Sequence, residues 1–313
     1  MSSSFFHVFD NDIKSVTVSA ATKSSLRAHC LELMAFSVGA GEAILLRRNK
    51  QVILIDGGAG DSSENLPLGN FLADYLAGRQ LKLAAFIATH PHTDHLNAIV
   101  PLLLKNGTQS LFPGATYYDN GEAYPNKLLA TLVPILNSPS SGLTRVSVTQ
   151  AGTNFTLGTD VKCSLFVNGA DKPQPPYKSI YMAVKFGQAS FLFTGDSYTA
   201  YENDLIQSVH KNDLPSHVLK ITHHGSKYGT GANLVQQVNP RIAVASTAGE
   251  TDHTLKQEVR DRLTTNRKCE IFDTFTSGGD VIVRTDGKSR KLGGHTGVLY
   301  EVQTVVPSLY QLA

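Results

Sequence analysis

The segment THPHTDH, residues 89–95, places four potential metal ligands within six positions: His90, His92, Asp94 and His95. Imidazole and carboxylate groups both coordinate borderline divalent metals such as zinc. In a short loop, the pair at 90 and 92 can converge on one ion while the pair at 94 and 95 reaches a second. The segment therefore predicts a metal site, and the simpler alternative is a histidine-rich surface turn.

The sequence on either side favours the metal site over the surface turn. An apolar run from Ala84 to Ala88 precedes the segment, and a periodic apolar run from Leu96 to Leu104 follows it. This order is typical of a strand, a loop and a helix. A loop held between a buried strand and the start of a helix is rigid enough to maintain the geometry of a metal site.

The loop resembles the HxHxDH signature of the metallo-β-lactamase fold superfamily, and three further apolar strands with polar ends match pieces that this fold requires. They are QVILID (51–56), FLFTGD (191–196) and LKITHHG (219–225). The resemblance implies that Asp56 orients the first metal loop, that Asp196 bridges two metals, and that His223 or His224 is the last histidine ligand. A turn aspartate before two glycines is the alternative role of Asp56.

A closer resemblance is to the soluble branch related to the hydrolase domain of competence protein ComEC. Four segments carry this resemblance: LMAFSVGAGEAILLRRNKQVILIDGG (33–58), LKITHHGSKYGT (219–230), VASTAGETDHTLKQEVRDRL (244–263) and TFTSGGDVIVRTDG (274–287). The match is specific to the branch and leaves the substrate open, because one fold can host many activities. The activity must therefore be argued from the site.

The pattern of strands and helices agrees with an α/β protein, the αββα four-layer sandwich of the superfamily. We predict an N-terminal extension over residues 1–29, the hydrolase domain over residues 30–290, and a C-terminal tail packed on the domain over residues 291–313. Turn-rich segments at 138–142 and 170–176 have predicted ligands on both sides, so they are expected to be loops within one fold.

The resemblance implies a hydrolase that uses two divalent ions. Two such ions, about 3.5 to 4 Å apart, lower the pKa of a bridging water, so that a metal-bridging hydroxide attacks a carbonyl or phosphoryl centre. We assign the ligands as follows: His90 and His92 on the first ion, Asp94, His95 and His223 on the second, and Asp196 between them. Asp56 is expected to hold an imidazole through its distal nitrogen.

The choice between His223 and His224 rests on two arguments. Neighbouring side chains at a strand end point to opposite sides, so only one of the pair is expected to coordinate metal. The segment THHGSKY is similar to the THxS pattern of tRNA-maturation relatives, in which the histidine directly after the strand is the ligand. We therefore predict that His223 is the ligand and that His224 faces substrate, with a packed, non-functional His224 as the alternative.

One departure from the family pattern concerns the first ion. The superfamily usually supplies a third histidine to this ion, and here no histidine occurs between His95 and His210. Asn168 or Asp171 could complete the site. Fewer protein nitrogens weaken the preference for zinc and leave room for manganese, so we predict two divalent ions, zinc or manganese.

Residues next to these motifs are candidates for substrate handling. His253 stands just before a predicted helix, where it could donate a proton to a leaving group or bind phosphate. In the alternative, Asp252 or Thr254 caps the helix and His253 is solvated. Lys227 and Tyr228 are weaker candidates for substrate binding. The catalytic candidates are thus Asp94, His224 and His253.

Composition limits the range of partners. The chain has 28 Lys and Arg against 26 Asp and Glu, a net charge of +2. This balance does not favour nucleic acid, although it leaves it possible, and the basic runs Arg260–Lys268 and Arg284–Lys291 are expected to be solvated faces. A secretory signal and a membrane span are not expected. Three cysteines without a CxxC pair favour reduced, buried thiols in the cytoplasm.

Three classes of function remain open. The paired histidines and His253 favour a metal-dependent phosphodiesterase or nuclease-like enzyme. A hydrolase of a lactam, lactone, ester or thioester would use the same hydroxide, and a non-catalytic metal-binding module would not need the full ligand set. The charge and a predicted tyrosine-rich loop with Tyr117, Tyr118 and Tyr124 favour a small molecule or a short nucleotide as substrate.

Overall fold

Two mixed β-sheets are the framework of this chain, as seen in a computed structural model that describes residues 2–10, 12–60, 64–105, 112–167, 178–249, 253–265 and 268–310. The strands are β1 Ser2–Asp10, β2 Asp12–Ser15, β3 Leu31–Ala35, β4 Ile44–Arg48, β5 Gln51–Ile55, β6 Lys82–Ile87, β7 Thr116–Asp119, β8 Thr144–Ser147, β9 Thr153–Leu157, β10 Val161–Val167, β11 Ile180–Phe186, β12 Ala189–Phe193, β13 Val218–Lys220, β14 Ile242–Ala245, β15 Glu270–Asp273, β16 Asp280–Leu292 and β17 His295–Val305. The helices are α1 Ala20–Ala28, α2 Asn65–Gly78, α3 Thr93–Leu96, α4 Ile99–Leu104, α5 Asn126–Leu136, α6 Thr199–Ile206, α7 Ala232–Val238 and α8 Gln257–Thr264.

The sheets divide the strands by position in the chain. One sheet has ten strands in the order β2-β1-β17-β16-β3-β4-β5-β6-β7-β8, and the other has seven in the order β15-β14-β13-β12-β11-β10-β9. Hairpins pair antiparallel, whereas β5 to β8 and β12 to β15 pair parallel. The parallel strands are those joined through helices, because a parallel connection must cross over the sheet.

Alternate residues of the strands separate an inner core from outer ones. In β3, Leu31 and Leu33 join the core between the two sheets, while Met34 joins the core under α2, α4 and α5. On the other sheet, Leu192 and Leu219 pack in the core that includes residues of α6, α7 and α8. The predicted αββα sandwich is confirmed, because each sheet buries one face against the other sheet and one against helices.

Both chain ends are built into the larger sheet. Strand β17 pairs with β1 on one side, in register over Ser2 to Phe9, and with β16 on the other, where the register shifts between Thr285 and Ser289. Helix α1 covers this part of the sheet through Leu26. The described residues of 2–29 and 291–310 thus contribute strands to the larger sheet, in place of the predicted extension and packed tail.

Two further predictions of local structure were wrong. The expected tyrosine-rich loop is largely strand β7, where Tyr117 is fully buried, and Tyr118 and Tyr124 are 7% and 8% exposed, so these rings serve the core. Helix α8 begins at Gln257, with Lys256 as its N-cap, three residues later than the apolar periodicity indicates. The cap position expected at Asp252 lies outside the described residues.

The three cysteines are free and buried, as predicted. No helix in the described ranges has both the length and the apolar character needed to cross a bilayer.

A buried ion pair connects the two sheets. Lys220, the last residue of β13, lies 2.5 Å from Glu42, which precedes β4, and both side chains are almost fully inaccessible to water. The Glu42 backbone N–H donates to the carbonyl of Asp94, so the pair adjoins the segment that carries the predicted ligands. Removing one partner of a buried pair leaves an uncompensated charge, which is costly.

We predict that Glu42→Gln lowers the free energy of unfolding by roughly 3–5 kcal/mol, since it leaves the Lys220 ammonium buried without its counter-charge. The double variant Glu42→Gln, Lys220→Met should recover part of that loss. Urea unfolding measures both. Lys185→Met, which removes an exposed pair with Asp213, is the control and should cost about 1 kcal/mol or less; equal losses in Glu42→Gln and the control would contradict the prediction.

Candidate metal centre

The predicted ligands come together at the ends of parallel strands from both sheets. Asp56 follows β5, His90 follows β6, Asp196 follows β12 and His224 follows β13. Within the described ranges, two groups of ligand atoms have all members within 4.8 Å of one another: His90, His92 and Asp196, and Asp94, His95, Asp196 and His224. Polar groups at the carboxyl ends of parallel strands are the common location of sites in α/β folds.

The carboxylate of Asp196 belongs to both groups. Its Oδ2 lies 3.8 Å from His90 Nε2, 3.2 Å from His95 Nε2 and 3.5 Å from His224 Nε2. Its Oδ1 is buried without a hydrogen-bond partner. This geometry agrees with the bridging position that the sequence predicts for Asp196.

Three imidazoles are held from outside through their Nδ1 atoms. His95 Nδ1 donates to Asp56 Oδ2 at 2.8 Å, and His224 Nδ1 donates to the carbonyl of Ser246 at 3.0 Å. Thr89 Oγ1 donates to Asp56, so at 3.1 Å it accepts from His90 Nδ1. A proton on each Nδ1 leaves each Nε2 with its lone pair directed inward, the tautomer suited to a metal ligand.

These inward lone pairs fit a cation. His95 Nε2 and His224 Nε2 are 3.3 Å apart, and Asp196 Oδ2 lies beside both of them. Acceptor atoms that face each other in a buried space repel unless a positive charge lies between them. The donor set, histidine nitrogens with carboxylate oxygens, is the set that zinc and similar divalent ions take. The residues present therefore fit a pair of divalent ions.

Burial and neighbouring charges shift the pKa values of the ligands in different directions. Burial alone would lower the pKa of His95, but the carboxylates of Asp196, Asp56 and Asp94 raise it well above its usual value. Burial opposes ionisation of Asp196, yet His95 and His224 hold its pKa well below the usual range. The pKa of His90 is lowered well below its usual value, first by burial and then by His95.

The turns that carry the ligands are closely packed. Gly58, two residues after Asp56, has no room for a side chain, because a Cβ there would lie 2.3 Å from the carbonyl oxygen of Asp94. Asp56 itself has a φ of 54°, in the left-handed region that an aspartate can adopt at some cost. The DGG sequence that follows β5 is thus required to bring the backbone of 94–95 next to that strand.

The positions of His223 and His224 are the opposite of those predicted: His224 lies among the ligands, and His223 lies beside the pocket. His224 is fully buried and joins the second group, whereas His223 Nε2 reaches only 3.8 Å from Asp196 Oδ2 and belongs to neither group. The argument from strand alternation fails because β13 ends at Lys220, and both histidines adopt left-handed φ values of 50° and 51°. This turn sends the second histidine inward and leaves the first beside the solvent-facing pocket.

A pocket of about 530 Å³ opens next to the ligand groups. Its lining residues are Tyr198, His223, Ser226, Lys227, Tyr228, His253, Lys256 and Glu258. His253 Nε2 lies 3.7 Å from Asp94 Oδ2, and its ring centroid is 4.7 Å from that of His224. His253, Lys227 and Tyr228 therefore line the pocket beside the ligand groups. Helix α8 begins at Gln257, so its N-terminus is not at His253.

Some contributing residues carry no signal in the sequence. Thr89 and Ser246 hold ligand histidines through hydrogen bonds, and Tyr198 lines the pocket two residues after Asp196. Glu202, inside α6, accepts hydrogen bonds of 2.7 Å from the N–H groups of Thr230 and Gly231. These roles depend on contacts between distant segments, which no local motif reveals. Asn168 and Asp171, the predicted helpers of the first ion, lie outside the described residues.

A family model described as the metallo-beta-lactamase superfamily matches residues 37–249, which include both ligand groups. The chain belongs to the metallo-beta-lactamase superfamily. The predictions of this fold and of a metal-dependent hydrolase are confirmed at that level.

Individual relatives are distant or partial. ComE operon protein 3 of Bacillus subtilis (strain 168) is 34% identical over 79 residues, which are 24% of this chain and 10% of that protein. The metallo-beta-lactamase fold protein YhfI from Bacillus subtilis aligns over 86% of this chain and 99% of its own, with 13% identity and a TM-score of 0.52. The short form of human tRNase Z aligns over 72% and 96%, with 12% identity and a TM-score of 0.44. The structural likeness shows the fold, and the partial sequence match is consistent with the ComEC-like branch.

Ligand substitutions should separate the two histidines. We predict that Asp196→Ala loses both ions, because its carboxylate belongs to both groups, that His224→Ala loses one ion, and that His223→Ala keeps both. Elemental analysis after dialysis measures the metal content, with the exposed His29→Ala as a control that retains both ions. Loss of an ion from His223→Ala with full retention in His224→Ala would restore the assignment made from the sequence.

A second prediction concerns Glu202, which holds the 226–231 loop beside the pocket. Burial raises its pKa from 4.5 to about 7, even though two backbone N–H groups donate to it. The folded protein thus retains a proton that the unfolded chain releases between these values. The stability that this proton contributes is full below about pH 4.5 and is lost as the pH rises to about 7.

The Glu202→Gln variant lacks this titration. As the pH rises from 4.5 to 7, the unfolding free energy of the parent protein should therefore fall by roughly 3 kcal/mol relative to that of the variant. Urea unfolding across this range measures the difference. A difference that is independent of pH would show that Glu202 is ionised throughout.

Proposed function

We propose that this chain is a metal-dependent phosphodiesterase that acts on a small phosphodiester. A nuclease-like activity on short nucleotides would be the same reaction, hydrolysis of a phosphodiester bond. The observation that carries the proposal is the pair of ligand groups that share Asp196, placed at the edge of a pocket lined by His253, Lys227 and Lys256. The cofactor is two divalent ions, zinc or manganese. Those ions, when bound, would supply a water of lowered pKa and neutralise anionic oxygens.

The protein residues prepare this site for one ligand geometry. Asp56 accepts from His95 and from the backbone and side chain of Thr89, so a single carboxylate holds two segments of the loop. Ligands held in this way need not reorganise when metal or substrate binds, which lowers the cost of both steps. We therefore propose that Asp56 is a positioning residue, the role expected for it from the sequence.

His253 is placed to give a proton to the leaving oxygen. Its ring is partly exposed to the pocket, with a side-chain exposure of 29%, and its Nε2 lies 3.7 Å from Asp94 Oδ2. Asp94 can orient the imidazole, in the way that a carboxylate positions a general acid. In our proposal Asp94 therefore has two roles: it is a metal ligand, and it orients His253.

The charge around the pocket favours a phosphodiester over a neutral carbonyl compound. Lys227 and Lys256 stand on the wall with His253, and Glu258 is the one acidic residue among the described lining residues. Ammonium groups attract phosphate oxygens and gain little from a neutral ester or lactam. A small phosphodiester meets these cations at the entrance to the metal centre.

Long nucleic acid is not favoured, because one arginine in each of the two basic runs is paired with a carboxylate of the fold. Arg260 lies 2.9 Å from Asp273, and Arg284 lies 2.5 Å from Glu32. Paired guanidinium groups contribute less to a phosphate-binding groove than free ones. We also propose a cytoplasmic location, which rests on the buried free thiols of Cys30, Cys163 and Cys269.

The test is a side-by-side panel with bis(p-nitrophenyl) phosphate, p-nitrophenyl acetate and the β-lactam nitrocefin on protein reconstituted with zinc or manganese. We expect the largest acceleration over the uncatalysed rate for the phosphodiester, and its loss on chelation. His253→Ala should retain both metals and lower kcat by about 10²- to 10⁴-fold, because proton donation is removed while coordination is kept. His29→Ala serves as the control with unchanged kcat. A larger acceleration for the acetate or the lactam would identify a carbonyl hydrolase.

A further inference from the structure

Two tyrosines form an aromatic surface on the wall of the pocket. The rings of Tyr198 and Tyr228 are stacked, with centroids 5.9 Å apart and an interplanar angle of 18°, and Tyr228 is 55% exposed. The ring of His223 lies 5.0 Å from that of Tyr198, and His223 Nε2 is 3.8 Å from Asp196. A continuous line of rings thus leads from the metal ligands to the pocket wall.

This aromatic surface is held in place by contacts that fix its backbone. The carbonyl of Tyr228 accepts from both the N–H and the hydroxyl of Thr199, at 2.7 and 2.8 Å. Arg262 donates to the carbonyls of Gly229 and Thr230 at 3.2 and 3.3 Å. An isolated surface tyrosine needs no such support. A loop backbone that is fixed beforehand loses little conformational entropy when a ligand binds.

Positive charge accompanies the aromatic surface. Lys227 Nζ is 5.2 Å from the centroid of the Tyr228 ring, and Lys256 lines the same pocket. A volume of about 530 Å³ lies within the range of small-molecule sites. The combination of a flat apolar face, ammonium groups and a metal centre matches a ligand that has a flat ring at one end and a phosphate at the other.

We propose that Tyr228, supported by Tyr198, binds the nucleobase of a small nucleotide phosphodiester, while Lys227 and Lys256 contact its phosphate. This inference deepens the proposed phosphodiesterase function and rests on it. Every base presents a π-face, so stacking on tyrosine selects for a base without selecting which one. The subsite therefore determines substrate class, and the ligand groups next to it determine the reaction.

Two substrates with the same leaving group test this assignment. The p-nitrophenyl ester of thymidine 5′-monophosphate carries a base, whereas methyl p-nitrophenyl phosphate does not. We expect the metal-loaded parent to prefer the thymidine ester in kcat/KM, and Tyr228→Ala to reduce that preference by about 5- to 150-fold, the range expected for one stacked base. Tyr228→Phe keeps the ring and should keep the preference. Phe5→Ala, which removes an exposed ring on β1, should leave both rates unchanged.

Binding provides a readout that does not depend on turnover. Calorimetry should show that thymidine 5′-monophosphate binds the metal-loaded parent more tightly than Tyr228→Ala by the same factor, while inorganic phosphate loses less affinity. Equal binding of the nucleotide by the parent and Tyr228→Ala, or an unchanged substrate preference, would overturn the nucleobase subsite. If neither ester is hydrolysed, the proposed reaction fails, and the nucleotide titration still decides the subsite.

Discussion

The repulsion between inward lone pairs, centred on Oδ2 of Asp196, is the constraint on which the rest of this structure depends. That oxygen lies at the end of β12 in the smaller sheet and meets His90 and His95 from the larger one. Each of these nitrogens is turned inward by a hydrogen bond on its other side. A cation relieves the repulsion that the arrangement creates, so metal binding contributes to stability as well as to chemistry. The two sheets are thus joined by the site itself.

A second connection between the sheets is the buried ion pair of Glu42 and Lys220. Glu42 and Lys220 lie next to the ligand loops and are fully removed from water. Their contact compensates the cost of burying each charge, whereas the ligand groups bring several acceptor atoms together around the carboxylate of Asp196. This difference explains why one pair serves as a structural link while the neighbouring cluster is suited to bind ions.

A strained turn and a supported loop separate the candidate metal ligands from the residues that line the pocket. Two consecutive residues, His223 and His224, adopt left-handed conformations, which cost free energy and persist only where the surroundings enforce them. The result is that one imidazole faces the metal ligands and its neighbour faces the pocket. Glu202 and Arg262 hold the following segment from beneath. The backbone of this segment, which carries Tyr228, is therefore anchored beside the ligands.

The sequence by itself determined the fold class, most of the strands and every member of the two ligand groups except His224. It could do so because apolar periodicity and the HxHxDH spacing are local properties. Tertiary structure alone decided the place of β1 and β17 in the larger sheet, the burial of Tyr117 and Tyr118, and the exchange of His223 for His224. Strand pairing between the chain ends depends on contacts between residues almost 300 positions apart. Which histidine points inward depends on the φ values of the turn at His223 and His224. That turn is held by hydrogen bonds to the carbonyls of Gly195 and Ser246, and no short stretch of sequence encodes these contacts between distant segments.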